Sequence, residues 1–564
     1  MRNFTTVLLD HYKEDAEFPV IIFQSAGKPD IPITYKELVE KSYCYAEKYF
    51  NDGIRPGDVI VLVLQHSLDL IYSYFGAILA GAVPSMMPFL TEKLIPEKYQ
   101  NDFQSLLTII HPKAIVTYRE FKNEVFDHFD TASQVKHIIL SDDIVFVKKK
   151  IPAEIPGIFC DDESVALLQH SSGTTGLQKG VALSHRAVFN QLDGYIKAIK
   201  LDPDKDVIVS WLPLYHDMGL IACFLMPVLY RTQVVMMSPF EWVRAPYRLL
   251  TAISDYKGTI CWLPNFAFNF CAKKVRDSQL EDVNLSSMRA LINCSEPMRD
   301  SSHQVFAERY VHYGFNVDAF ATSYGMAENV FSATQGGIDS PIVKDIINRD
   351  IFQTEKKAVP ATLDEPSIEM LSTGKAVGSV QIAILDEKDN TLSDREIGEV
   401  IIKSNCLFNG YYNRPDLTEK CFINGWFRTG DYGYMADGEL YITGRKKDLI
   451  IVGGKNIYPQ DLEALAMDVP GVHPGRAVAF GIFDEDSGTE EVVLIAEVDV
   501  DSEEEKSTIS RAIKEKVTRN SAISLRHVML VDEKWLIKTS SGKMARAANK
   551  ERYIRLTTNS KTSI

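Results

Sequence analysis

Four hydroxyls, three glycines and one cation gather within ten residues: Ser171, Ser172, Gly173, Thr174, Thr175 and Gly176 run without a break, and Lys179 and Gly180 follow Leu177 and Gln178. Glycines let backbone amides approach an anion closely, hydroxyls donate hydrogen bonds, and a lysine adds a point charge. The chemistry these residue types suit is phosphate handling. The spacing is not that of the common nucleotide loop, Gly-x-x-x-x-Gly-Lys-Ser/Thr, because Lys179 stands between Gln178 and Gly180. Taken alone, the stretch reads equally as an ordinary glycine-rich connection between two strands.

Further candidates follow short apolar runs. Residues 207–211 lead into Leu212-Pro-Leu-Tyr-His-Asp-Met-Gly219, with Tyr215 and His216. Residues 259–262 lead into Leu263-Pro-Asn-Phe-Ala267, with Phe266. Residues 290–292 lead to Ser295, Glu296 and Pro297, and residues 317–321 to Thr322, Ser323, Tyr324, Gly325, Met326, Ala327 and Glu328. Ligands of open α/β sheets bind beyond the carboxyl ends of strands, so these loops can converge on one cleft. Each has a plainer reading: His216 and Tyr215 as core residues, Glu296 as a helix cap, Tyr324 as packing.

The elements that must position them look like α/β layers. Thr34 caps a helix entry, a Pro56-Gly57-Asp58 turn precedes the apolar residues 59–64, and Ser67 precedes a largely apolar helix over 68–79. Residues 114–118 and 137–140 read as further strands, and residues 165–168 and 181–183 flank the glycine-rich loop. At 564 residues the chain exceeds one core, so at least two domains are expected. A net charge of −15 argues against general nucleic-acid or anionic-membrane binding. No secretory signal is read at the N-terminus, and the longest apolar patches, such as 220–230, are too short to span a bilayer. The eight cysteines are scattered without a Cys-x-x-Cys pair, which fits a reducing cytoplasm better than a zinc site or a disulfide framework.

With Tyr324-Gly-Met-Ala-Glu328 the sequence resembles the acyl-adenylate-forming superfamily. Gly425-Trp-Phe-Arg-Thr-Gly-Asp431, Gly438-Glu-Leu-Tyr-Ile-Thr-Gly-Arg-Lys-Lys-Asp448, Gly453-Gly-Lys-Asn-Ile-Tyr-Pro459 and Ser541-Gly-Lys543 match its motifs in family order. The resemblance implies a large, multi-layer α/β adenylating domain over residues 1–446 and a small mobile α+β lid over 447–564, an ANL-type arrangement. It also implies that the chain uses ATP and Mg²⁺. The glycine-rich loop and Lys179 would hold the β- and γ-phosphates, Tyr324 would stack on adenine, Thr322 would bond a phosphate oxygen, and Glu328 would help hold Mg²⁺. Asp431 would accept from the ribose hydroxyls, Arg445 would support ribose or phosphate, and Lys447 matches the hinge. Lys543, in a hydroxyl- and glycine-rich loop, matches the catalytic lysine, with Lys538 a near rival by type.

Residues 211–220, 263–267, 293–297 and 458–461 resemble fatty acyl-AMP ligases most, which hand acyl groups to the phosphopantetheine of an acyl carrier protein. The long polar stretch that includes residues 342–357 corresponds to an insertion that in those enzymes restrains the second domain and disfavours CoA; a variable surface loop is the alternative. Gln178 stands where proline is frequent and Cys294 where a small residue is. The implied substrate is a fatty or similar hydrophobic acid, with His216, Phe266 and Ala327 near its site. Transfer to CoA and a non-catalytic scaffold on the same fold are the competing functions. Lys543→Ala is expected to abolish acyl-AMP formation while leaving ATP binding largely intact, measured by adenylate formation and nucleotide titration; a wild-type rate would remove Lys543 from the catalytic role.

Overall fold

The computed structural model describes residues 2–90, 96–125, 135–148, 150–171, 179–452, 455–484, 489–500, 502–521, 523–539 and 542–561. By packing, the chain forms two compact units, one of Met1–Val343, Thr373–Gln381 and Ile402–Phe427, the other of Lys344–Ser372, Ile382–Ile401 and Arg428–Ile564.

Two sheets build the first unit. In the nine-stranded sheet, Phe320–Gly325, Ala290–Asn293, Ile260–Leu263, Val207–Ser210, Gln233–Met237 and Pro19–Gln24 lie side by side in that order and parallel. Their carboxyl ends therefore share one edge, and the loops that follow them leave from it. In the seven-stranded sheet, Val59–Leu62, Val83–Met86 and Ala114–Thr117 are buried at every position, the pattern of parallel strands covered on both faces. Ser67 caps the Leu68–Leu79 helix by accepting from the Leu70 amide, and every residue from Leu70 on is buried, so this helix is core rather than surface. It packs tightly because Gly76 lacks a side chain: a Cβ there would lie 2.6 Å from Tyr45 Cβ.

At two places the structure departs from the sequence pattern. Residues 317–319 form a 3₁₀ turn capped by Asn316, which delays the strand to Phe320–Gly325 and puts Thr322, Ser323, Tyr324 and Gly325 inside it instead of in a loop. The polar stretch after residue 341 is no simple loop, since Lys344–Asn348 pairs antiparallel with Ser367–Leu371 and Asn348 caps the Arg349–Glu355 helix.

The second unit has its own core. A three-stranded sheet of Val472–Asp484, Thr489–Val498 and Leu525–Val531 buries one face against the Pro459–Met467 and Glu503–Ser521 helices. Ile347 and Phe352 of the 344–355 segment pack with Tyr434, Tyr441 and Tyr458 in a separate cluster. A hinge at Lys447 concerns motion rather than packing in one state. Among the described residues no helix is long and apolar enough to cross a membrane.

Three histidines of the first unit are held neutral. Burial lowers His66, His170 and His185 from 6.5 to about 4. His185 Nδ1 accepts the Phe4 amide at 3.4 Å, and His170 Nε2 meets Ser85 Oγ at 2.6 Å. Below 6.5 the unfolded chain binds protons that the folded chain refuses, so stability is lost as pH falls toward 4. The melting temperature is expected to drop through this window, with a shallower slope in His185→Gln. An identical slope in that variant would show that His185 does not contribute.

Candidate active site

The glycine-rich loop closes a hairpin. Strands Val165–Ser171 and Lys179–Ser184 pair antiparallel with Ser171 opposite Lys179 and His170 opposite Gly180, so the two strands bring both ends of the loop to one point. Ser171 ends the first strand. Ser172, Gly173, Thr174, Thr175 and Gly176 lie outside the described residues.

Lys179 is half-buried, with its Nζ 4.6 Å from the centre of the Tyr411 ring. Tyr411 in turn donates its hydroxyl to Glu328 Oε1 at 2.8 Å. Backbone bonds hold this bridge in place: Phe408 N donates to Glu328 O at 2.9 Å, Asn409 N to Ala182 O at 2.8 Å and Tyr412 N to Gly180 O at 2.7 Å. Residues 408–412 thus tie the turn carrying Glu328 to the strand carrying Lys179. Burial raises the Glu328 carboxyl, opposed by the Tyr411 hydrogen bond and more weakly by Lys179. Burial and the neighbouring Glu328 keep the Tyr411 phenol protonated.

Around Glu328 the backbone is strained. Val330, a β-branched residue, has φ +64°, and the turn is held by Val330 N to Ala327 O at 2.9 Å and Met326 N to Phe331 O at 2.8 Å. Gly325 has no room for a side chain, as a Cβ would lie 2.4 Å from Phe331 O. Thr322 is fully buried and its Oγ1 has no hydrogen-bond partner among the described residues. Ser323 uses its hydroxyl within the sheet, on Ser332 Oγ at 3.1 Å and Thr334 O at 3.0 Å. Tyr324 is half-buried in the same strand, and Ala327 is buried beside Glu328.

In the next loop Ser295 has φ +73° and its hydroxyl reaches Met218 Sδ at 3.8 Å. Glu296 Oε2 accepts the Phe266 amide at 3.0 Å at the start of the Asn265–Lys274 helix, 30 residues earlier in the chain. Pro297 itself is exposed. His216 packs edge-on against Tyr215 at 5.1 Å, just before a π-helical segment, Met218–Leu225. Phe266 belongs to an aromatic cluster with Trp211 and Trp242.

The second unit carries the remaining candidates. Asp431 and Arg445 face each other across paired strands, with Arg445 Nε 3.5 Å from Asp431 Oδ1. Lys447 follows in a 3₁₀ turn, and burial lowers it to about 8, helped by Arg445 and Arg546. Lys543 is half-buried in a turn closed by Thr539 N to Lys543 O at 2.8 Å and Gly542 N to Thr539 O at 2.9 Å. Three residues on, Arg546 bonds Asp448 at 2.7 Å, Glu463 at 2.6 Å and the Ala479 carbonyl at 2.9 Å. The turn carrying Lys543 is thereby anchored to the residue after Lys447.

Tyr411 is the participant that the sequence pattern did not single out. The only local signal is the Gly410-Tyr411-Tyr412 run, and the partner carboxylate is 83 residues away.

Tyr411 thus joins a half-buried lysine and a half-buried carboxylate beside the paired strands that flank residues 172–178, residue types suited to a phosphate and a hard cation. The profile of the AMP-binding enzyme family matches residues 10–412. The chain belongs to that family, whose members use ATP. It is 29% identical to the long-chain-fatty-acid–AMP ligase FadD32 of Mycolicibacterium smegmatis over 89% of this chain and 85% of that one. It is 27% identical to the medium-chain-fatty-acid–[acyl-carrier-protein] ligase JamA of Moorena producens over 96% and 93% of the two chains. Among solved structures, one from work on fatty acyl-adenylate ligases of E. coli and L. pneumophila superposes with a TM-score of 0.89 at 27% identity, covering 99% of both chains. Its architecture matches the large α/β and small α+β parts found here.

The Tyr411–Glu328 bond can be isolated in a double-mutant cycle. Tyr411→Phe and Glu328→Gln are expected to show a coupling of about 1.5–3 kcal/mol in denaturant unfolding, the range for a hydrogen bond to a charged group. Additive effects would show that the bond contributes nothing.

Proposed function

We propose that the chain activates a fatty or similar hydrophobic carboxylic acid with ATP, releasing pyrophosphate and forming acyl-AMP, and then passes the acyl group to the phosphopantetheine thiol of a holo acyl carrier protein. The observation that carries this reading is the Lys179–Tyr411–Glu328 bridge at the mouth of the 172–178 loop. Adenylation brings two anions together, an acid and a triphosphate, and its barrier falls when positive charge and fixed donors meet the phosphates. In this reading the acid's carboxylate oxygen bonds the α-phosphorus and the bond to the pyrophosphate oxygen breaks. Lys179, Ser171, Ser172, Gly173, Thr174, Thr175, Gly176 and Gly180 cradle the leaving pyrophosphate, and Thr322 offers its unpartnered hydroxyl to a phosphate oxygen.

Ser295, Glu296, Pro297, Ser323, Tyr324, Gly325 and Met326 form the nucleotide wall, the Tyr324 ring against adenine. His216, Phe266 and Ala327 lie toward the acid. Asp431 takes the ribose hydroxyls with Arg445 beside it. Lys543 neutralises the reacting oxygens and moves with a lid of residues 447–564 that turns at Lys447, the adenylating part being 1–446.

Mg²⁺ fits the donors present. Glu328 spends one oxygen on Tyr411 and has another to offer, and among the described residues no group of three His, Cys, Asp or Glu could hold a metal alone. That is the donor set of a hard cation shared between one carboxylate and substrate phosphates, where it supplies charge neutralisation. The eight cysteines are free thiols, which supports a cytoplasmic setting.

For the acceptor, the support is the 344–355 segment. Phe352 packs on Tyr458 at 5.5 Å, Asn456 Nδ2 donates to Gln353 O at 3.2 Å, and Arg349 Nη1 donates to Asn520 O at 2.8 Å. An insertion folded onto the C-terminal segment in this way is more than a variable surface loop, which supports a carrier protein over CoA. Transfer to CoA is the second reading, and a non-catalytic scaffold the third. Incubation with ATP, Mg²⁺ and a panel of acids is expected to yield acyl-AMP, then acyl transfer to holo carrier protein and little to CoA. Efficient acyl-CoA formation would select the second reading, and no adenylate with any acid the third.

A further inference from the structure

Trp211 and Trp242 lie face to face with ring centroids 3.7 Å apart and planes 4° from parallel. They are 5% and 0% exposed, and neither indole N–H has a hydrogen-bond partner among the described residues. Buried tryptophans normally find an acceptor, and aromatic pairs favour offset or edge-on geometry. The pair forms a flat, buried double layer of aromatic bulk.

The topology says what that bulk closes. Trp211 directly follows strand Val207–Ser210, Trp242 lies in the Pro239–Arg244 helix just after Gln233–Met237, and Phe266 opens the helix after Ile260–Leu263. These three parallel strands are neighbours, so all three side chains belong to the carboxyl edge. Phe266 meets Trp211 at 6.3 Å and Trp242 at 6.1 Å, and Phe270 reaches Trp242 at 5.3 Å. The same edge continues through Ala290–Asn293, whose loop carries Glu296, and through Phe320–Gly325, which holds Tyr324 near its end and leads into Glu328. The Phe266 amide on Glu296 joins the aromatic cluster to that side.

We propose that the Trp211–Trp242 stack is the end wall of the acyl site and that the acid is short- to medium-chain, with Trp242 as the specificity-determining residue. This rests on the acid-activating reading above. A carboxylate at the loops after Ala290–Asn293 and Phe320–Gly325, with its chain running along the strand ends, reaches the wall within two to three strand spacings, about 10–14 Å. Octanoate fits that length; palmitate overruns it. Steric exclusion is the stronger part of such selection, because each methylene in an apolar pocket adds only modest affinity.

The test compares octanoate and palmitate, by acyl-AMP formation and by calorimetric binding, in the full-length wild type, Trp242→Leu, Trp242→Ala and the milder Trp242→Phe. Wild type is expected to favour octanoate, and Trp242→Leu or Trp242→Ala to raise the palmitate-to-octanoate ratio of kcat/KM by at least about tenfold. A wild type that binds palmitate as tightly as octanoate would overturn the wall even if the larger substitutions prevent folding. So would an unchanged ratio in cooperatively melting variants. Chain-length selection in binding that shifts in the variants without any adenylate would retain the wall and remove the ligase reading. Adenylate formation with an unchanged ratio would do the reverse, and no binding of either acid would remove both.

Discussion

The site depends on one short segment, residues 408–412, which is hydrogen-bonded to the Glu328 turn on one side and to strand Lys179–Ser184 on the other. Without it a lysine and a carboxylate from different sheets would have no common reference. With it, the Tyr411 ring offers its face to the ammonium and its hydroxyl to the carboxylate, so one side chain keeps the two opposite charges apart and oriented.

Backbone strain marks the turn that carries Glu328. Val330 and Ser295 adopt positive φ in the loops after two neighbouring parallel strands, and Gly325 lies too close to Phe331 to carry a side chain. Neighbouring sheet pairing holds these conformations: Ser323 on Ser332 and Thr334, and Thr322 within the strand register. Within this edge Thr322 Oγ1 is buried with no hydrogen-bond partner among the described residues.

The second unit is cross-tied in the same way. Arg546 binds Asp448, Glu463 and a sheet carbonyl at once, which ties the turn bearing Lys543 to the residue after Lys447. The 344–355 segment is folded into that unit through Ile347 and Phe352 rather than left as a surface loop.

Much of this was legible in residue order. The helix over 68–79 and its Ser67 cap and the strands at 207–210, 260–263 and 290–293 follow from apolar spacing and capping chemistry, which act over a few residues, while the series of motifs from Lys179 to Lys543 is read from resemblance to the family. Register and long-range partnership were not. Glu296 proves to cap the helix bearing Phe266, Ser323 turns its hydroxyl into the sheet, Thr322 to Gly325 fall within a strand because Asn316 delays its start, and Tyr411 enters the site from beyond the expected motifs. Local sequence determined which chemistry each segment could offer. Only the pairing of strands far apart in the chain decided which atoms face one another, because a single step of register changes the face on which every following side chain stands.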